Sequence, residues 1–156
     1  MNHTHASLCL GVFVGAMLST ANAFAAVEQS KFQDWTVDCP KKEMCVAHLE
    51  RKGVQILVGR VTPNGAVRMA LRVSAAAKPS SPVGLRLADG WQAGLRVGKC
   101  TANYCEAGVA EKSTSIAVAA LSRNGDGIVG YELNDRLMLI PVSFAGFADA
   151  MKQVNK

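Results

Sequence analysis

Two cysteine pairs carry the most definite chemistry in this sequence. Cys39 and Cys45 are spaced C-x5-C around Pro40-Lys41-Lys42-Glu43-Met44, and Cys100 and Cys105 are spaced C-x4-C around Thr101-Ala102-Asn103-Tyr104. Structural zinc knuckles set paired ligands roughly two to four residues apart, and thioredoxin-type redox chemistry wants C-x-x-C. Neither pair fits either pattern. Four cysteines permit three pairings. The local one, Cys39–Cys45 and Cys100–Cys105, is favoured because each pair flanks a turn-like segment with strand-like residues outside it. A cross-strand position at a hairpin mouth brings Cα atoms to about 5.5 Å, which suits a disulfide. Closing loops this short constrains the unfolded chain by only about 2–2.5 kcal/mol each. The cysteines read as structural staples, and staples persist in an oxidising compartment.

The N-terminal residues agree with export. An apolar run from Leu8 to Leu18 is followed by Ser19-Thr20 and then Ala21-Asn22-Ala23-Phe24-Ala25. That order is a secretory signal with A-x-A cleavage after Ala23 or Ala25. Its n-region is atypical, with His3, His5 and the terminal amine in place of lysine or arginine. An apolar run of about 11 residues falls short of the roughly 20 that span a bilayer, so no transmembrane anchor is expected after cleavage. The division is residues 1–25 as signal and 26–156 as one domain with a single core. Cleavage removes Cys9, His3 and His5 but no Lys, Arg, Asp or Glu, so the 17 basic and 12 acidic residues and the net charge of +5 all remain. The location implied is the periplasm or the outer surface.

Catalysis has little to build on. After cleavage His48 is the one histidine left. It is placed on the face opposite Val46 and reads as an exposed or hydrogen-bonded strand residue, not a general base. No G-x-S-x-G elbow, H-E-x-x-H or G-x-x-x-x-G-K-[ST] occurs. Asn124-Gly125-Asp126-Gly127 lacks the spaced carboxylates of a calcium loop and reads as a turn. Pairs such as Asp34/Asp38 or Asp126/Glu132 are not distinguished from ordinary surface carboxylates. No catalytic residue, metal site or cofactor is expected. The arginines carry more weight. Arg60, Arg68, Arg72, Arg86 and Arg96 lie on expected strands with apolar neighbours pointing the other way. If adjacent strands align them, one sheet face presents a guanidinium ladder able to hold carboxylates or phosphates bidentately, as on lipopolysaccharide, an acidic glycan or an acidic protein. The alternative is a solvated face whose arginines pair with nearby acids. Nucleic acid is a poor partner for an exported chain with few aromatics and no recognisable binding motif.

These residues must be held by strands. Period-two alternation places Val67, Met69, Leu71 and Val73 on one face of 66–73, and Val83, Leu85 and Leu87 on one face of 83–89. Trp91, Ala93, Leu95 and Val97 share a face in 91–100, and Asp89-Gly90 is a hairpin turn before it. The segments 45–51 and 54–61 are joined by Lys52-Gly53. The segments 115–122 and 128–133 flank the 124–127 turn, and 136–143 is a further strand with Pro141 near its end. At the C-terminus the period changes. Phe144, Phe147, Ala148, Met151 and Val154 form a helical stripe after Ser143 as N-cap, and this helix should pack on the sheet. The fold class is all-β, an immunoglobulin-like or related antiparallel β-sandwich with a short C-terminal helix.

In order, FQDWTVDC (32–39) with Cys45, SPVGLRLADGWQAGLRVGKC (81–100) with Cys105, and LIPVSFAGFADAMKQV (139–154) follow the export signal. This arrangement resembles the invasion-associated locus B family of small exported proteins from Gram-negative bacteria. The resemblance implies a periplasmic or outer-surface β-sandwich without known enzymatic activity, and it maps the family's cysteine pairs onto Cys39, Cys45, Cys100 and Cys105. It supplies no catalytic or ligand residues, and it is weakest between Gly59 and Pro79. The combined reading is a non-enzymatic envelope or surface protein that binds an anionic component of the envelope or host surface. Two readings compete with it: a periplasmic enzyme or enzyme inhibitor acting on an envelope polymer, and an assembly or chaperone-like subunit that binds by β-addition.

Overall fold

Alternating apolar residues become strands over most of the chain in the computed structural model, which describes residues 28–63, 65–123 and 125–156. The signal read at 1–25 lies outside the described residues, as does Asn124 of the expected turn. The first strands are β1 (Glu28–Phe32), β2 (Trp35–Lys41), β3 (Met44–Arg51), β4 (Val54–Gly59) and β5 (Arg68–Ser74). They are followed by β6 (Pro82–Leu87), β7 (Gln92–Arg96), β8 (Lys99–Cys100) and β9 (Tyr104–Gly108). Helix α1 (Glu111–Leu121) precedes β10 (Asp126–Leu133) and β11 (Arg136–Ser143), and α2 (Phe147–Val154) closes the chain.

Two antiparallel sheets result. One has seven strands in the order β1-β2-β3-β4-β5-β9-β8, the other four in the order β11-β10-β6-β7. The chain passes from the smaller sheet to the larger between β7 and β8, where Val97 N–H donates to the Ser81 carbonyl and Gly98 N–H to that of Glu106. The inward residues of both sheets and the buried sides of both helices join in one core, with Trp35, Val37, Ile56, Leu71, Leu85, Leu121 and Phe147 fully buried. The antiparallel sandwich expected from alternation therefore forms.

Helix α1 replaces the strand expected at 115–122. An uninterrupted apolar run does not distinguish strand from helix by its period, and here the alanines favour the helix. Thr114, Ala117, Ala120 and Leu121 are the buried residues, spaced by helical turns, while Ile116 points to solvent. Glu111 in the first turn complements the positive end of the helix.

Helix α2 forms where the period changed and packs on β1, β2 and β3. It starts later than expected. Gly146 at φ 85° is its N-cap, and Ser143 instead accepts from the Ala145 N–H at 3.2 Å. A side chain at 146 would collide with the Phe32 carbonyl as well as strain that φ. Ala150, not Ala148, completes the buried stripe. The stripe meets Trp35, whose ring lies 4.7 Å from Phe147 and 6.1 Å from Phe144, contacts worth about 0.5–1.5 kcal/mol each beyond area burial. Trp35 Nε1 has no hydrogen-bond partner among the described residues, which offsets about 1–3 kcal/mol of that gain.

Candidate functional site

The cysteines are the first residues the fold brings together. Cys39–Cys45 and Cys100–Cys105 are both bonded, so the local pairing is the one adopted. Their Cα separations, 4.2 Å and 4.0 Å, are closer than the 5.5 Å expected. Cys100 and Cys105 face each other next to a Thr101 N–H to Tyr104 carbonyl bond, the non-hydrogen-bonded position where strands approach most closely. Cys39 and Cys45 sit beside a register shift between Asp38 and Lys41. All four cysteines belong to the seven-stranded sheet. Among the described residues no three of His, Cys, Asp and Glu are grouped as metal ligands.

His48 lies on the outer face of that sheet, on the same face as Val46 and not opposite it, because residues two apart on a strand share a side. Its Nδ1 is 3.3 Å from Asp38 Oδ2, and Asp38 Oδ1 accepts from Gln29 Nε2 at 2.9 Å. Thr36 is its cross-strand neighbour, and no side-chain hydrogen bond joins the two among the described residues. The group is a hydrogen-bonded surface cluster.

The five arginines do not form one ladder. Arg60, Arg68 and Arg72 belong to the seven-stranded sheet or its border, whereas Arg86 is on β6 and Arg96 on β7 of the other sheet. Local alternation turns them outward, but non-local pairing decides which sheet they join. Arg60 Nη1 donates to the Val154 carbonyl at 2.6 Å, at the end of α2. Arg72 Nε donates to Glu106 Oε2 at 2.8 Å and its guanidinium lies 4.1 Å from the Tyr104 ring centre. Arg68 is exposed and unpaired among the described residues. The larger sheet's outer face thus pairs Arg72 with Glu106 and His48 with Asp38, its own neighbours.

The smaller sheet differs. Register sets Gly130 beside Gly84, and Gly84 beside Gly94, so three adjacent strands carry glycine at one level of the outer face. Leu139 on the edge strand continues the row. Along one side run Pro141, Ile128, Arg86 and Gln92, paired in that order across the four strands. On the other side Leu137 pairs with Glu132, and Pro82 with Arg96. Clefts of about 600 Å³ and 500 Å³ lie on either side and share all three glycines. Ile128, Leu137 and Leu139 are 43%, 71% and 58% exposed, a contiguous aliphatic border of the kind that marks a contact surface. Arg86 has no partner among the described residues, and Arg96 gives one Nη1 bond, 2.9 Å, to the Ser80 carbonyl. Sequence reasoning named the two arginines but missed the glycine row, which exists only once β6, β7 and β10 are in register.

A two-sheet sandwich with a hairpin disulfide at each of two turns is the class this chain defines. Its structure is similar to the crystal structure of invasion associated protein B from Bartonella henselae, with a TM-score of 0.67 and 18% identity over 82% of this chain and 96% of that one. At that identity the likeness shows the fold. No protein-family model matches the sequence, and no curated protein matches it either.

Proposed function

We propose that this chain is an exported envelope protein that works by binding an anionic partner, in envelope maintenance or host-cell contact, and not by catalysis. Export is supported by the signal-like residues 1–25 and by two disulfides, which an oxidising compartment maintains. The fold it shares with invasion associated protein B accords with this reading. The observation that carries the binding role is the outer face of the four-stranded sheet, which combines exposed aliphatic side chains with Arg86 and Arg96. An enzyme acting on an envelope polymer needs a concave site with paired ionisable groups; the clefts on this face are lined mainly by glycines and aliphatic residues, and of the two carboxylates at the edge of one, Glu132 and Asp135, the second is paired with Lys78. Binding by β-addition is disfavoured at the longest edge strand, β11, where Pro141 interrupts the ladder of donors.

The test is retention of the exported, disulfide-intact protein on envelope fractions. Wild type should be retained in a salt-sensitive manner, and Arg86→Ala/Arg96→Ala should be lost from the fraction with its melting temperature unchanged. Equal retention of both proteins would refute the assignment. Peptide mapping without reductant should find Cys39–Cys45, Cys100–Cys105 and a new N-terminus at Phe24 or Ala26. An uncleaved chain with free thiols would overturn export.

A further inference from the structure

Glycine in the middle of a strand weakens it, and such positions often mark the close approach of a ligand or another backbone. Of the three glycines in the row, Gly84 and Gly94 have no internal reason to be there, and Gly130 has only a side-chain tip against it. None has a positive φ. A Cβ at Gly94 would meet nothing within 4 Å, and one at Gly84 would come no nearer than 3.9 Å to the Ala93 carbonyl oxygen. At Gly130 the nearest atom is Leu139 Cδ2, 3.3 Å away, the tip of the leucine that walls the row. Their effect is a bare backbone trench that crosses the strands from Leu139 to Gly94, a distance of three strand spacings or roughly 14 Å.

The trench is polarised. Leu139, Ile128 and Leu137 border its β11–β10 end, where Glu132 and Asp135 also line one cleft, and Arg86 and Arg96 flank its β6–β7 end. Because it runs across the strands, it does not suit an added β-strand, which would lie along an edge. Its two clefts are lined without Trp or Phe, and their one tyrosine, Tyr131, is 4% exposed with its side chain in the core. The ring stacking that holds sugars and planar aromatics is therefore not on offer. A second copy of the chain carries the same net charge of +5, so its approach would bring like charge to like.

We propose that the trench binds an anionic single-chain amphiphile. The aliphatic chain lies on the glycine row against Leu139 and Ile128, and the carboxylate or phosphate head meets the guanidinium of Arg86, with Arg96 across the row from it. Aliphatic chains need shape and apolar contact, both of which the floor and walls supply, while the planar guanidinium fork suits either head. This inference rests on the proposed binding role and names the ligand class for it.

The experiment is calorimetric titration of the exported protein with dodecanoate below its micelle concentration. Dodecyl glucoside serves as the neutral-head control and inorganic phosphate as the chainless one. Wild type should bind one dodecanoate, with the neutral amphiphile about tenfold weaker and phosphate weaker still. Gly84→Val/Gly94→Val, which fills the floor with better strand formers, should weaken dodecanoate about tenfold or more with an unchanged or higher melting temperature. Equal affinity in the filled variant would overturn the proposal, as would binding of phosphate as tight as that of dodecanoate. A dimer that the valines convert to monomer would assign the trench to a second copy instead and equally overturn it. If dodecanoate fails while envelope retention still depends on Arg86 and Arg96, the ligand class is wrong and the binding role stands; loss of both removes both.

Discussion

The two outer faces of this sandwich are built to opposite specifications. On the seven-stranded sheet, Asp38 serves both His48 and Gln29, Arg72 serves Glu106 and Tyr104, and Gln55 donates to Glu50 at 3.0 Å. Its disulfides tie down two hairpins. On the four-stranded sheet, three glycines leave the backbone bare, three aliphatic side chains stand in solvent, and Arg86 waits without a partner among the described residues. One face pairs several of its charges with its own side chains, Arg68 excepted, and the other is left largely open. The charges named from sequence fall on both, so formal charge alone does not identify a binding surface; the degree to which each charge is already satisfied does.

Glycine substitutions break this comparison most sharply. Gly59 lies under β3, where a new Cβ would overlap the Cys45 carbonyl and come within 2.6 Å of Val46 Cα. Gly59→Ala should therefore cost about 3 kcal/mol or more in denaturant unfolding, and a loss below about 1 kcal/mol would show that β3 and β4 can spread. Arg72→Ala should cost about 1 kcal/mol through its half-buried ion pair and its aromatic contact. A double-mutant cycle with Glu106→Ala should recover a coupling, and the absence of one would remove self-satisfaction as the description of that face. Gly94→Ala has the opposite sign, with stability expected to rise by about 0.5 kcal/mol. Destabilisation there would mean that the glycine serves the fold, and the contrast would collapse. The smallest effect belongs to Leu139→Ser, where unfolding should shift by no more than about 0.5 kcal/mol because the leucine is 58% exposed.

What sequence could reveal was what chain neighbours decide. The disulfides close over loops of a few residues, and their pairing followed from those loops. The turns at Lys52-Gly53 and Asp89-Gly90 behave likewise, with φ of 45° and 76° at the first and 92° at Gly90. The inward stripes of β5 and β6 and the change of period at α2 were equally local. Two misreadings were also local in kind. Within 115–122, residues 116–121 are all apolar and so have no period to read, and the placement of His48 opposite Val46 went against the alternation itself. The candidate site was not legible. Gly84 and Gly94 meet across the local Asp89-Gly90 hairpin, but Gly130 is far from both in sequence, and only the pairing of β10 with β6 completes the row. The same non-local pairing divided the five arginines between two sheets.

Amide chemical-shift mapping of the exported, disulfide-intact protein under titration with dodecanoate tests the division between the faces most directly. The shifts should concentrate at residues 82–86, 92–96, 128–132 and 137–141, and residues 36–38, 46–50, 68–72 and 106 should stay still. Shifts centred on the seven-stranded face, or spread evenly over both, would contradict it.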